Sequence, residues 1–207
     1  MDAVATMKFT TREEIEARLK EKRDLSGADM SGLDLSGMRL AALNMTGADL
    51  HDANLTHAVL AGAEMSGVNL AHADLTDARI GGANLKGADL HGANLHAARM
   101  GGINLEEADL TGADLSESRM MGIGVEGADF TDVVTTDARA AGISWSDAKV
   151  PPVTLPAAVQ PPHWLPVLMA GLALAFFFAI GMGIRRVIKG RKGAEEAAEE
   201  SQLCCDE

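Results

Sequence analysis

Residues 83–95 read ANLKGADLHGANL and repeat with a period of five. Leucine lies at the centre of each five-residue unit, a small residue lies two positions before it, and Asn or Asp lies between the two. The same register extends from Leu25 to Val150, so that every central position is a multiple of five. A period of five fits neither the 3.6-residue α-helix nor the two-residue alternation of a β-strand. The period therefore indicates a repeat architecture.

A second, longer period of four pentads is superimposed on the first. Arginine precedes the central residue in every fourth pentad along one stretch, and we call these positions the arginine column: Arg79, Arg99, Arg119 and Arg139. Arg39 lies on the same lattice, and Val59 is the exception. Four pentads therefore form one structural unit. The simplest solid with this property is a coil of four short sides that stacks on copies of itself, about 4.8 Å apart.

The repeats resemble the pentapeptide repeat family, whose consensus is A(D/N)LXX, over residues 25–150. The resemblance implies an all-β solenoid, a right-handed quadrilateral β-helix in which the central residue and the small residue two positions before it point inward. Burial of one central side chain contributes roughly 1.5–3 kcal/mol. Larger residues replace the small one at three positions: Leu33, Met38 and Leu43. The first coils are therefore expected to be wider. Phe130 and Trp145 occupy central positions near the far end, where a bulky side chain can close the rod.

The N-terminal segment, residues 1–24, predicts a cap for the solenoid. Two residue pairs have the spacing of a capping box: Thr10 with Glu13, and Thr11 with Glu14. They predict a short amphipathic helix over residues 11–23, with Ile15 and Leu19 on one face. A stacked repeat leaves an open apolar end, so we interpret this helix as the cap, with a partner-binding helix as the alternative.

The C-terminal part of the chain predicts attachment to a membrane. All six prolines lie within or directly after residues 151–165, which are expected to form a semi-rigid polyproline II spacer, with a proline-motif ligand as the alternative. Residues 166–184 carry no charge and follow Trp164, an expected interfacial anchor. As a helix they are long enough to cross a bilayer, which predicts one transmembrane span. Residues 185–207 are basic and then acidic, and are expected to be a disordered tail.

The predicted span also bears on oligomeric state and topology. Four small residues spaced by four form a candidate helix-packing face for a homodimer: Gly171, Ala175, Ala179 and Gly183. Basic residues after residue 184 favour a cytoplasmic C-terminus. However, residues 1–9 lack the pattern of a signal peptide, and the span would leave the ribosome only after the repeats can fold. We therefore favour a tail-anchored, single-pass protein of the bacterial inner membrane, with its repeats in the cytoplasm.

The repeats carry the acidity of the chain. The net charge is −12, and residues 24–150 alone hold 7 basic and 19 acidic side chains, which also gives −12. This argues against direct nucleic-acid binding, which needs clustered Lys and Arg. Five aspartates share one column of the coil, which we call the acidic column: Asp29, Asp49, Asp89, Asp109 and Asp129. Asp34, Asp74 and Asp114 share the next column.

The arginine column is the candidate interaction strip. Neighbouring guanidinium groups about 4.8 Å apart repel each other by about 1 kcal/mol in water. One interpretation is that aspartates on the flanking sides, such as Asp74 and Asp114, neutralise them. The other is that the column binds an anionic partner or lipid head groups.

No group of residues indicates catalysis. The histidines His51, His57, His72, His91 and His96 lie on outward positions of different pentads. His51 and His91 share a column but are two coils apart, roughly 10 Å, which is too far to share a metal ion. Cys204 and Cys205 are adjacent, so they are expected to be part of a reduced tail, with lipid attachment as the alternative. We therefore expect no catalytic residues, no metal and no cofactor.

These observations predict a membrane-tethered, non-enzymatic scaffold that presents a rod-like surface to an unidentified protein partner. One alternative follows from the family resemblance, because some pentapeptide repeat proteins resemble duplex DNA in shape and charge and bind DNA gyrase. The acidic column suits that role, whereas the membrane span and the arginine column depart from it. A second alternative is a secreted effector that inserts into a target membrane.

Overall fold

In the computed structural model of the chain, the described residues are 7–158. They contain one α-helix and one short 3-10 helix, α1 (Arg12–Glu21) and Trp145–Asp147. The strands are β1 (Arg79–Gly81), β2 (Arg99–Gly101), β3 (Arg119–Met121), β4 (Arg139–Ala141) and β5 (Ala157–Ala158). These strands form one parallel sheet in the order β1-β2-β3-β4-β5. Isolated parallel bridges form the remaining sides of a β-helix.

The backbone of each pentad pairs with the fourth pentad along the chain on every side of the coil, as the second period predicts. The amide of Leu90 donates to the carbonyl of Asp109 at 2.7 Å, which joins one coil to the next. Each corner is a β-turn, as when the amide of Ala93 donates to the carbonyl of Leu90 at 3.0 Å. The third residue of that turn, Gly92, has a φ of +62°, a conformation that favours glycine. Glycine at this repeated position thus allows the backbone to form the turn at the corner of the coil.

The core is a single column of apolar side chains inside the coils. Every central residue from Leu25 to Phe130 is 0–3% exposed. The small residues two positions before them are also buried almost throughout, so both inward positions of the predicted β-helix are confirmed. Leu33 is the exception in the first coil, where it is only partly buried. Alanine at most of these positions leaves room for the larger central side chains.

Helix α1 covers the first coil. The Thr11 hydroxyl accepts from the amide of Glu14, and the Glu14 carboxylate accepts from the amide of Thr11, which makes the capping box. Ile15 is fully buried in the core, and Arg12 donates to the carbonyl of Ser36 at 2.9 Å. The helix ends at Glu21, two residues earlier than expected, because Lys22 takes an extended conformation.

A short segment before the helix adds to the wall of the solenoid. The amide of Phe9 donates to the carbonyl of Asp29 at 2.9 Å, and the amide of Asp29 donates to the carbonyl of Met7 at 2.7 Å. This parallel pairing places Lys8 beside Asp29. The N-terminal segment therefore contributes β-structure as well as the helix.

The five-residue register breaks near the far end. Asp129 pairs with Val150, one position further along the chain than the period of four pentads predicts. Val150 therefore does not occupy the central position that the sequence predicts. The extra residue lies in the 3-10 helix Trp145–Asp147. Trp145 is only partly buried and packs edge-on against Phe130, with ring centroids 5.3 Å apart. Trp145 therefore packs against the end of the apolar core and is not enclosed as the other central residues are.

The last coil continues past residue 150. Strand β5 pairs with β4, and the amide of Ala157 donates to the carbonyl of Ala138 at 2.9 Å. Thr135 occupies an inward position, and its hydroxyl donates to the carbonyl of Thr154 at 2.6 Å. Residues 151–158, for which the sequence predicts the start of a proline-rich spacer, therefore belong to the β-helix. They satisfy polar groups that the last regular coil would otherwise leave open.

The other predictions for the C-terminal part lie outside the described residues. They concern the rest of the spacer, 159–165, the transmembrane helix at 166–184 with its packing face, and the tail with Cys204 and Cys205. Within residues 7–158, no helix has the length and apolar character needed to cross a membrane.

Candidate interaction surface

The arginine column is built by strands β1 to β4. Arg79, Arg99 and Arg119 are direct register partners in neighbouring strands, and Arg119 pairs in turn with Arg139. All four side chains are exposed, because each strand buries only its central residue. The structure thus places the four predicted residues in one line along the rod, about 4.8 Å apart.

Within the described part of the chain, none of the four arginines forms an ion pair. Asp74 and Asp114, which the sequence suggested as neutralising groups, form no ion pair with them. Those aspartates accept hydrogen bonds from their own turns instead, such as the bond from the amide of Thr76 to Asp74 at 3.0 Å. In both residues the Oδ1 atom accepts the hydrogen bond from the turn at the corner of the coil.

A different set of acids lies beside the arginine column, and we call it the flanking acids: Asp77, Glu117 and Asp137. Each lies two residues before an arginine, at a corner position with a φ near +56°. Open grooves separate the two rows, one lined by Glu117, Arg119, Asp137 and Arg139. No acid of the described residues comes within ion-pair distance of the four guanidinium groups.

The other flank of the arginine column is nearly flat. Gly81 and Gly101 follow the central residues of β1 and β2, so backbone rather than side chain lines the surface there. Met121 takes the same position in β3 and is 56% exposed. Among the described residues of β1 to β3, this flank therefore carries one exposed apolar side chain, that of Met121.

The acidic column is also confirmed as a line along the rod, completed by Asn69. Each aspartate accepts a hydrogen bond from the amide two residues later, as from Thr111 to Asp109 at 2.9 Å. Such turns use one oxygen of each carboxylate and stabilise the corner. The column is therefore partly structural.

Lysines neutralise both ends of the acidic column. Lys8 lies 2.9 Å from Asp29, and Lys149 lies 3.1 Å from Asp129. The hydrogen bonds from Lys8 and then from Ser31 lower the pKa of Asp29 to about 2. Sequence reasoning missed both pairs: Lys8 precedes the repeat, whereas Lys149 lies four pentads after Asp129 and so continues the acidic column with a basic residue.

The columns on the other two sides alternate charged and neutral residues. Asp34, Asn54, Asp74, Asn94 and Asp114 pair in succession along one side. On another side, the side-chain amide of Asn44 donates to Asp24 at 3.0 Å. This alternation separates like charges by two coils, about 9.6 Å, and reduces their repulsion. Among the described residues, only the acidic and arginine columns place like charges in adjacent coils over several steps.

The histidines do not form a metal site in the described residues, where no group of three potential ligands meets. The rings of His72 and His91 meet edge to face, with centroids 5.4 Å apart, a contact that the column positions did not predict. His72 leans over Gly92, where any side chain would collide with it. His51 lies 2.8 Å from Asp49, and this hydrogen bond raises the pKa of His51.

Comparison with known proteins agrees with this architecture. The family model for pentapeptide repeats matches eight copies, over residues 24–56, 53–92 and 88–123. The chain belongs to the pentapeptide repeat family. No curated protein matches the chain.

Several solved structures are similar to the chain, and these likenesses concern the fold. The pentapeptide repeat protein Rfr23 from the cyanobacterium Cyanothece 51142 is 23% identical, with 64% of this chain and 98% of that one covered and a TM-score of 0.48. HetL from Nostoc sp. strain PCC 7120, a protein involved in heterocyst differentiation regulation, is 22% identical, with 64% and 80% covered and a TM-score of 0.28. A pentapeptide repeat protein of the Arabidopsis thaliana thylakoid lumen is 34% identical, with 50% and 68% covered and a TM-score of 0.20.

Proposed function

We propose that the chain is a non-enzymatic scaffold, tethered to a membrane, whose rod presents the arginine column to a protein partner with an acidic surface. One observation carries the proposal: four exposed arginines stand in line in adjacent coils, and none forms an ion pair with a described residue. A bound partner would supply the negative charge that the rod does not bring to them.

The energetics favour recognition of carboxylates over a purely structural role for the column. Neighbouring guanidinium groups repel each other by about 1 kcal/mol per pair in water, so alignment slightly destabilises the free rod. The planar guanidinium group binds carboxylates through two parallel hydrogen bonds, which a row of acidic side chains can accept. The flat strip at Gly81 and Gly101 lets such a row lie close to the rod.

A pair of matched charge reversals tests the interaction. The variant R99E/R119E reverses two charges in the arginine column, and K20E/K22E reverses two exposed charges on and next to helix α1. Both change the net charge by the same amount. The tagged full chain is used to retain proteins from an extract of the cells that produce it. A protein retained by the wild type and by K20E/K22E, but lost with R99E/R119E, supports the proposal. Retention of the same proteins by all three contradicts it.

Membrane tethering rests on residues 166–184, which carry no charge. A helix of this length crosses the hydrocarbon of a bilayer. The test is fractionation of cells that express the full chain or a chain without residues 166–184. Only the full chain is expected to stay in the membrane fraction after washing at high pH. Protease treatment of intact and opened vesicles then reports on which side the repeats lie. Release of the full chain by the wash would contradict tethering.

No catalytic role is part of this proposal. The outward polar side chains repeat as ladders along the rod, and most accept or donate hydrogen bonds within the corners of the coil. A catalytic group would need to break that pattern, and neither the arginine column nor the acidic column does so.

The alternative function is regulation of DNA gyrase by imitation of DNA. The observation that favours it is the acidic column, which sets carboxylates at a regular spacing along one side of the rod. A supercoiling assay with purified gyrase and the full chain separates the two functions. Inhibition that D89N/D109N weakens and R99E/R119E does not would support the alternative. No effect on gyrase removes it.

A further inference from the structure

The arginine column and the acidic column lie on opposite sides of the rod. One coil contains four pentads on four sides, so positions two pentads apart in sequence lie on opposite sides. Arg99 is two pentads from both Asp89 and Asp109. The rod is therefore positive on one side and negative on the side behind it.

The two columns also have the same axial spacing. Arg99 pairs with Arg119 in the next coil, and Asp89 pairs with Asp109 in the same way. Each column therefore advances by one coil, about 4.8 Å per charge. If one rod lies beside another and one arginine contacts one aspartate, the equal spacing brings the following arginines and aspartates of the two columns into contact as well.

The match needs almost no axial shift when two rods are parallel. Two pentads are half a coil. When two parallel rods are aligned without an axial shift, Arg99 of one copy is therefore displaced along the rod axis by about 2.4 Å from both Asp89 and Asp109 of the other. The long arginine side chain spans this difference by rotation about its own bonds. An antiparallel pair would also bring the columns together, but a common membrane anchor holds all copies in one direction.

We propose that copies of this chain associate side by side and in parallel, with the arginine column of one copy against the acidic column of the next. The inference rests on the proposed function, because it assigns a second copy as an occupant of the same arginine column. The contact joins unlike surfaces, so each copy keeps a free positive and a free negative side, and rows of rods can grow along the membrane.

The middle of the acidic column is best suited to this contact. Asp89 and Asp109 are exposed, and their hydrogen bonds to the amides of His91 and Thr111 use only the first oxygen. Within the described residues, the second oxygen of each makes no hydrogen bond, so it can accept from a guanidinium group of the neighbour. At the two ends of the column, lysines already occupy the carboxylates.

The net charge of −12 opposes association, and salt decides which effect prevails. At about 0.15 M salt the Debye length is about 8 Å, so charges on distant faces are largely screened while groups in contact still attract. Association is therefore expected to be strongest at intermediate salt. It should weaken at about 0.01 M, where the whole rods repel each other, and again near 1 M, where the contacts are screened.

Charge exchange between the columns tests the proposal. The full chain is purified in one non-ionic detergent and its sedimentation is followed over a range of concentrations. The variants are R99E/R119E, D89R/D109R and an equal mixture of the two. K20E/K22E is the control for R99E/R119E, since both change the net charge by −4. Position 89 accepts a basic side chain because Arg79, Arg99 and Arg119 occupy the same place in their pentads. D89N/D109N is a milder variant that keeps the acceptor for the corner amide.

The wild type and K20E/K22E are expected to form larger species as concentration rises. Each charge-reversed variant alone should associate at least about tenfold more weakly, since attractive pairs become repulsive, and the mixture should recover association. The milder variant should weaken association as well. The proposal is overturned if the wild type stays monomeric or if the mixture does not recover association. It is also overturned if R99E/R119E associates like the wild type, as would be seen if the copies associated through residues 166–184 instead. In those cases retention of another protein by the arginine column still stands as a separate result.

Discussion

Ser118 tests whether the interior of the rod is as apolar as its repeat implies. Its side chain lies at an inward position and is fully buried, and its hydroxyl oxygen has no hydrogen-bond partner in the described part of the chain. The equivalent residues in the neighbouring coils are Ala98 and Ala138, which are also buried. The substitution Ser118→Ala therefore removes a hydroxyl group without a partner and restores the residue of the adjacent coils.

The expected gain in stability follows from the burial. A hydroxyl group buried without a hydrogen bond destabilises a protein by about 1–3 kcal/mol, and the dispersion contacts of one oxygen atom offset only a few tenths. Ser118→Ala should therefore raise the free energy of unfolding by about 1–2 kcal/mol. For a chain of this size that corresponds to an increase in Tm of roughly 2–8 °C.

Ser116→Ala provides the matched control, because it deletes the same group two residues away. The Ser116 hydroxyl lies 2.9 Å from the Nδ1 atom of His96 in the next coil, so its loss should lower the free energy of unfolding by up to about 1 kcal/mol. Thermal unfolding followed by circular dichroism compares the two variants with the wild type. A lower Tm for Ser118→Ala would refute the account, because it would show that the hydroxyl has a partner or that the interior is polar there.

Two further predictions concern the corners and one end of the rod. Both glycines have positive φ, but only Gly92→Ala would place a Cβ 2.6 Å from the His72 ring, so it should destabilise the protein more than Gly87→Ala, by up to about 1 kcal/mol because the exposed ring can move aside. In thermal unfolding, adding His72→Ala should remove this difference, and a difference that persists would contradict the clash. Lys8→Met should raise the pKa of Asp29 from about 2 toward 3.8, since the hydrogen bond from Lys8 is the largest cause of its lowered value. The stabilising contribution of the Asp29 carboxylate is present above its pKa in the unfolded chain and is lost as pH falls through its pKa in the folded protein. An NMR titration of Asp29 that is the same in Lys8→Met and in the wild type would contradict the role given to Lys8.

Much of the fold could be predicted because every inward position requires the same kind of residue, an apolar side chain of limited size. Central residues such as Leu90 are buried because they fall at every fifth position, and the longer period of four pentads gives the number of sides. The far end could not be predicted in this way. Trp145 falls on a central position of the repeat, but it begins a 3-10 helix, its ring is only partly buried against Phe130, and the pairing beyond it is shifted by one residue. Local volume, not periodicity, decides the structure there.

The candidate surface could likewise be predicted only in part. The alignment of Arg99 with Arg119 follows directly from their separation by four pentads. The acids nearest to the arginines could not be predicted in this way, because Asp74 lies on another side of the coil, whereas Asp77 lies beside the column two residues away. Position within the pentad sets the face of a residue, but the reach and direction of a side chain at a corner depend on the turn. The contact between His72 and His91 was missed for this reason.

The most direct test of the account is site-specific photocrosslinking in cells that express the full chain. A photoreactive benzoyl-phenylalanine replaces Met121, which is exposed beside the arginine column, or Glu126, which is exposed at the same pentad position on the adjacent side. The account predicts covalent adducts with a protein from position 121, their loss when R99E/R119E is added, and few adducts from position 126. Absence of adducts from position 121, or equal adducts from both positions, would contradict a binding surface at the arginine column.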